Sequence, residues 1–329
     1  MIEALEGESR LVLDVRLAPV AGSTFQPTGF PDLGAATFQR PGQPPSLIVE
    51  SVQSMANRLE AVGWNGPEQQ PHPPLETLPY LRIEAAADGA FLTSSRLEPH
   101  RLAAAYVRDA QIDGSKGVEW IAARLALRPG RPLDWPHIYR AIFELDPLCL
   151  LHGVFFSDPR WSGNPKVRRA ITAVVEAHDV APVVSGGLKR DDVAVKSTPG
   201  RGSREGYGFV PFGRTEWTAR EIELTLVVDL GQIRGYGLGA EGERLLTLLA
   251  LWEASTLLAE PLRLRTACDL DMESMRARRP DGFSLPKADE LASEIAAVAQ
   301  PAQHGPVLGQ WPAPDVKKPE ETAPDPSEG

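Results

Sequence analysis

Apolar and polar residues alternate through "RLVLDVRLAPV" (10–20) up to a proline, which predicts a first strand. "SLIVE" (46–50) predicts a second, short one. In "VESVQSMANRLE" (49–60) the period changes. Val52, Met55, Ala56 and Leu59 fall at i, i+3, i+4 and i+7, the stripe of an amphipathic helix. The other side of that helix carries Ser54, Asn57 and Arg58 instead of the Glu/Lys pairs of a purely structural surface. Further on, "LCLLHGVFF" (148–156) predicts a buried strand. "SGNPKVRRAITAVVEAH" (162–178) predicts a helix, with Asn164 as N-cap, Pro165 at its first position and Val167, Ile171, Val174 and Val175 on the apolar face. "EIELTLVVDL" (221–230) predicts a strand and "GQIRGYGLGAEG" (231–242) a glycine-rich loop. "ERLLTLLALWEASTLL" (243–258) predicts a helix and "PLRLRTAC" (261–268) a last strand.

Between these elements the pattern breaks. Residues 21–38 hold Pro27, Gly29, Pro31 and Gly34 in close succession, a density that excludes a helix or a long strand and predicts an ordered loop. Residues 63–147 read as a mostly helical insertion. A hairpin turns at Asp88-Gly89, and helical periods lie near 99–110, 115–127 and 134–145. Without the insertions the order is strand, helix, strand, strand, helix, strand. That is the ferredoxin-like α+β arrangement, whose open antiparallel sheet is also the platform of RNA-recognition modules.

Composition narrows the function. At 42% hydrophobic residues the chain builds a real core, and it has no apolar run long enough to span a membrane. Its first residues, "MIEALEGESR", are too polar for a secretory signal. Cys149 and Cys268 form no disulfide framework, so a reduced, cytoplasmic protein is expected. The net charge of −10 argues against a nucleic-acid binder when taken whole. Locally the balance reverses: Phe156 to Arg214 holds ten Lys/Arg against six Asp/Glu. Local charge decides contact with phosphates. From Val298 onward there are five acids, two lysines and seven prolines, the composition of a disordered tail.

Three motifs bear on chemistry. "GLGAEG" (237–242) satisfies G-x-G-x-x-G between a predicted strand and helix, but six residues separate it from the strand, whereas a dinucleotide site starts almost at the strand's end. A nucleotide-binding enzyme stays open as an alternative, beside a loop whose glycines allow close backbone approach. "EGYGFVPF" (205–212) matches all but the first position of the RNA-recognition pattern K/R-G-F/Y-G/A-F-V-x-F/Y. Pro211 is a poor central-strand residue, so base stacking and a packing β-arm both remain possible. The six histidines are scattered without ligand spacing, and His152, in an apolar run, reads as a hydrogen-bonded core residue. No catalytic set, metal site or cofactor motif emerges.

Five stretches taken together resemble one family: "GSTFQPTGFPDLGAATF", "VESVQSMANRLE", "LHGVFFSDPRW", "SGGLKRDDV" and "GFVPFGRTEWTA". They are similar to the CRISPR-associated RAMP backbone subunit of type I-G (formerly I-U) Cascade, the Cas-seven family, over roughly residues 10–270. The resemblance implies a hand-like molecule. Its ferredoxin-like palm would comprise 1–62, 148–182 and 219–297, with a helical finger insertion at 63–147, a β-hairpin thumb at 183–218 and a disordered tail at 298–329. Copies would stack along a CRISPR RNA and present it to target DNA, beside other Cascade subunits and a separately recruited helicase-nuclease. The subunit itself would be non-catalytic and need no cofactor. Type III relatives cut RNA with a thumb aspartate, which makes Asp191 or Asp192 the residue of that alternative.

On this resemblance the guide contacts are Ser23 and Gln26 in the early loop, Ser54, Asn57 and Arg58 on the helix, and Arg160, Lys166, Arg168 and Arg169 beside the groove. Lys166 and Arg169 would also profit from a helix N-terminus. The thumb would add Lys189, Arg190, Lys196, Arg201, Arg204 and Arg214, with Tyr207 and Phe209 as wedges.

Overall fold

The computed structural model describes residues 2–30, 33–189, 210–299 and 305–312. Strand β1 (Leu11–Pro19) is followed by β2 (Thr37–Gln39), β3 (Pro45–Glu50) and helix α1 (Val52–Ala61). Then come β4 (Leu81–Ala85), β5 (Phe91–Ser94), α2 (Ala105–Asp109), β6 (Gln111–Ile112), β7 (Ser115–Lys116), α3 (Gly117–Arg124), α4 (Trp135–Leu145) and α5 (Leu148–His152). The second half holds β8 (Ile171–Lys189), β9 (Val210–Val228), α6 (Leu230–Gly235), α7 (Gly239–Leu257), β10 (Leu262–Arg265), β11 (Cys268–Arg279), α8 (Ala288–Val298) and β12 (Val307–Trp311).

An antiparallel seven-stranded sheet of order β10-β11-β1-β9-β8-β3-β2 forms the body. Its strands alternate. Leu11, Leu13, Val15 and Leu17 are buried on one face with Ile222, Leu224, Leu226 and Val228. On the other face Asp14 is held by Arg276 and Arg278, each at 3.2 Å. α1 packs on β8 and α7. β8 and β9 pair from Ile171–Val228 to Lys189–Val210. β1 covers β9 only over Ile222–Val228, and β3 covers β8 only over Val175–His178. Beyond them the pair continues as a two-stranded ribbon, joined at its base by the Phe25–Trp217 bridge.

Several expectations are corrected. Residues 148–152 are helix α5, with all five side chains buried; an all-apolar run has no period with which to separate a strand from a buried helix. The predicted helix at 164–178 is strand. Asn164 has φ 42°, unlike the extended backbone of an N-cap, and Ile171, Ala173, Val175 and Ala177 are buried in strict alternation. The segment after Leu230 opens as helix α6, because the Asp229 carboxylate caps it by accepting from Gln232 N at 2.8 Å. β11 and α8 were not predicted.

Residues 63–147 hold strands as well as helices, in a second sheet of order β7-β6-β12-β4-β5. Its middle strand, β12, comes from the region expected to be a disordered tail, and runs parallel to β4. The hairpin at Asp88-Gly89 forms as predicted between β4 and β5. His152 is the expected core residue: its Nε2 lies 2.9 Å from the Glu253 carboxylate, both side chains fully enclosed. Among the described residues no helix is long and apolar enough to cross a membrane.

Candidate nucleic-acid interface

The Pro/Gly-rich loop is pinned by its backbone to three separate elements. Phe25 and Trp217 exchange hydrogen bonds at 2.9 Å, Gln26 N donates to Ala267 O at 2.7 Å, and Thr28 N donates to Val49 O at 2.9 Å. Gly29 is required there, since a Cβ on it would lie 2.5 Å from Gly34 O. Arg265, at the end of β10, ties these attachments together. Its guanidinium donates to Gln26 O at 3.0 Å and Val49 O at 3.1 Å, and pairs with the Glu50 carboxylate. From the other side Arg58 donates to Arg263 O at 3.1 Å and to Leu264 O, with its Nε 3.9 Å from Glu50. Glu50 is buried between the two guanidiniums. Burial lowers the Arg58 pKa from its usual value. The sheet therefore curls, its β10 margin drawn toward β3 and α1.

Against this knot lies an open cleft of about 790 Å³ lined by Gln26, Thr28, Arg214, Thr215, Trp217 and Arg265, among others. Gln26 Oε1 is enclosed without a hydrogen-bond partner among the described residues. The loop and the base of the ribbon thus meet at one groove, whereas the sequence sets the loop beside the Ser54, Asn57 and Arg58 face of α1. Arg214 pairs with Glu216 at 2.6 Å. Ser23 is exposed on the loop.

α1 forms where its stripe predicted. Ser51 caps it, its hydroxyl accepting from Ser54 N at 3.2 Å, and Met55, Ala56 and Leu59 are buried. Val52 is 40% exposed, so the stripe is narrower than expected. The solvent side presents Gln53 and Asn57, with Ser54 half-buried. Arg169 donates to Gln53 Oε1 at 2.8 Å. Burial, and next the charge of Arg101, lower its pKa. A strip of contacts therefore runs from Arg169 along α1 to Arg58 and on through β10 to the cleft.

Lys166 and Arg168 are exposed and have no ion-pair partner among the described residues. Lys166 belongs to a short two-strand ladder, Val154–Phe155 with Lys166–Val167, and Arg168 follows it, so these residues do not open a helix as predicted; Arg169 instead reaches Gln53 in the first turn of α1. Arg160 is neutralised: its guanidinium chelates Asp158 at 2.9 and 2.8 Å, and Asp109 lies 3.8 Å away. Those hydrogen bonds hold the Asp158 carboxyl well below the usual range. The Lys189 backbone ends β8. Its side chain and Arg190, Asp191, Asp192, Lys196, Arg201, Arg204, Tyr207 and Phe209 lie outside the described residues.

Sequence reasoning missed Arg265, Glu50, Gln53 and Trp217. Only the second arginine of the alternating "LRLR", at the end of a short strand, hinted at a role. The glycines of 237–242 have a local explanation. Gly237 and Gly239 have φ of 67° and 77°, and a Cβ on Gly242 would lie 2.7 Å from Leu238 Cβ. Helix α6, not a strand, precedes the motif, which removes the context a dinucleotide site needs. Among the described residues no group of three His, Cys, Asp or Glu is placed to hold a metal.

These features define an α+β protein with a curled antiparallel sheet, a projecting two-stranded ribbon, and a polar, cationic strip leading to a cleft at the ribbon's base. The family model of CRISPR-associated protein GSU0053 matches residues 11–182, more than half the chain, and the chain belongs to that family. No curated protein matches it. Among solved structures it is similar to a chain of a "CRISPR RNA-guided surveillance complex, pre-nicking", at 13% identity and TM-score 0.43, over 84% of this chain and 78% of that one. It is also similar to Csc2 of Thermofilum pendens, at 10% identity and TM-score 0.29, over 89% of this chain and 74% of that one.

Proposed function

We propose that this chain is a non-catalytic, CRISPR RNA-binding backbone subunit of a type I-G Cascade, oligomerising along the guide and holding it for pairing with target DNA. The observation that carries this reading is the run of contacts from Arg169 through Gln53 and α1 to Arg58, and on through β10 to the cleft that Arg265 lines, with Lys166 and Arg168 exposed next to Arg169 in the chain, in a CRISPR-associated family. Amides, guanidiniums and ammonium groups contact phosphate without reading sequence, which suits a protein that must accept any guide. The strand order β11-β1-β9-β8, with α1 and α7 between its halves, supports a ferredoxin-like palm. The β8–β9 ribbon supports a thumb, and residues 63–147 are the finger of the same proposal. Other Cascade subunits and a helicase-nuclease belong to the same proposal, as does a cytoplasmic location.

The test is co-expression with a CRISPR array and its processing partner, then sizing of the nucleic acid that purifies with the chain. A discrete guide-length RNA in a multi-copy assembly is the expected result. A monomer free of RNA overturns the reading. Within that assembly Lys166→Ala and Arg168→Ala are each expected to weaken guide binding across all spacer sequences. Each lost phosphate contact flattens the log–log salt dependence by about 0.7 unit on a single strand. Titrations at several salt concentrations on two unrelated spacers check this, and weakening confined to one spacer would contradict it.

A further inference from the structure

Phe155 is 47% exposed, and its outward direction is enforced. Val154 before it and Phe156 after it are both buried. Phe156 meets Trp161 edge-on with centroids 5.1 Å apart, and Trp161 Nε1 donates to Val118 O at 3.0 Å. The backbone is fixed as well: Phe155 pairs with Lys166 across the short ladder, and Phe156 N donates to Pro165 O at 3.1 Å. Lys166 Nζ lies 5.2 Å from the Phe155 ring centroid. Val167 is buried, so Lys166 and Arg168 on either side of it both face solvent. The nearest acid in sequence, Asp158, is already engaged by Arg160 and Arg108. A single exposed aromatic is ordinary. A rigidly presented one, with Lys166 over its ring and Arg168 two residues further along the chain, neither ion-paired among the described residues, is the combination that single-stranded nucleic acid uses, one base on a π-face and its phosphates on the cations.

We propose that Phe155 is a stacking platform for a nucleobase of single-stranded nucleic acid, with Lys166 and Arg168 neutralising the adjoining phosphates. This rests on the nucleic-acid-binding reading above and adds to it a contact with a base. The site is sequence-tolerant, since every base has a π-face. Lys166 moves from the ring to a phosphate as the base arrives.

The experiment uses the full chain and two short labelled oligonucleotides of equal length, an oligouridylate and an abasic strand, followed by fluorescence anisotropy at several salt concentrations. Phe155→Ala is expected to weaken oligouridylate binding by about 5- to 150-fold. It leaves the salt slope unchanged, because stacking releases no counterions, and leaves the abasic strand unaffected. Phe155→Trp restores binding. Lys166→Ala, by contrast, lowers the slope on both strands. Equal oligouridylate binding by wild type and Phe155→Ala overturns the platform alone, as does an equal loss on the abasic strand. Loss of multi-copy assembly with unchanged oligouridylate affinity also overturns it, in favour of a contact between copies. Wild-type protein that binds neither strand overturns the backbone reading and the platform together. A thermal midpoint equal to wild type shows that Phe155→Ala is folded. A matching guide and its target strand, offered in turn, distinguish RNA from DNA as the source of the base.

Discussion

Truncation after Gln300 is expected to destabilise the protein by several kcal/mol, whereas truncation after Pro312 is expected to leave the thermal midpoint unchanged. The first cut removes β12, the middle strand of its sheet, and leaves β4 and β6 without the partner between them. It breaks the hydrogen bonds from Val307 N to Tyr80 O at 2.8 Å and from Ala86 N to Trp311 O at 2.9 Å. It also removes Trp311, whose ring lies 4.7 Å from that of Tyr106. Newly exposed strand edges and lost aromatic packing add to on the order of 3 kcal/mol or more. Gly309 offers a point test of the same packing. A Cβ there would lie 2.7 Å from Ile83 Cδ1 and 3.3 Å from Ala110 Cβ, so Gly309→Val is expected to push the strand outward and mimic the first truncation in part. Denaturant melts of the three variants check this. An unchanged midpoint after the cut at Gln300 would show that β12 contributes nothing.

Arg265→Ala is expected to cost about 3 kcal/mol of stability and to abolish RNA retention, the larger functional effect. The substitution leaves the Glu50 carboxylate, 2% exposed, with only Arg58 at 3.9 Å beside it. Breaking a buried pair outright costs about 3–5 kcal/mol; here Arg58 still faces the carboxylate, which keeps the loss at the lower end. It also releases the carbonyls of Gln26 and Val49, so the loop loses its tether at the cleft. Arg265→Lys is expected to rescue little, since an ammonium cannot bridge two carbonyls and a carboxylate with a planar fork. Adding Glu50→Gln to Arg265→Ala is expected to recover stability without recovering RNA. A double-mutant cycle on stability, with RNA retention measured in parallel, separates the two effects.

What was legible in the sequence was what neighbours along the chain decide. α1 carries its own cap in Ser51 and its own stripe, and β1 its own alternation. The errors have physical causes. Asn164-Pro165 imitates a helix start, and the alternation of Ile171 to Ala177 is equally compatible with a few apolar positions at helical spacing. Five β-forming residues between prolines were hidden in an acidic tail composition. Arg265 could not be found by any local rule: its acceptor on Gln26 is 239 residues away, and its value lies in closing a sheet whose curl no periodicity encodes. The carboxylates around Arg160 were hidden for a similar reason, since a cation in a basic stretch shows its partners only once the chain is folded.

The placement of β12 also bears on how a nascent chain matures. β12 follows every other described strand and pairs in parallel with Leu81–Ala85, far upstream. During synthesis the curled sheet, its knot and the Phe155 ladder all emerge from the ribosome first and can form as a unit. The insertion's sheet must wait, with its central slot empty, until Val307–Trp311 arrives. A chain released early thus carries a finished curled sheet on an unfinished insertion, and quality control would meet the defect there first.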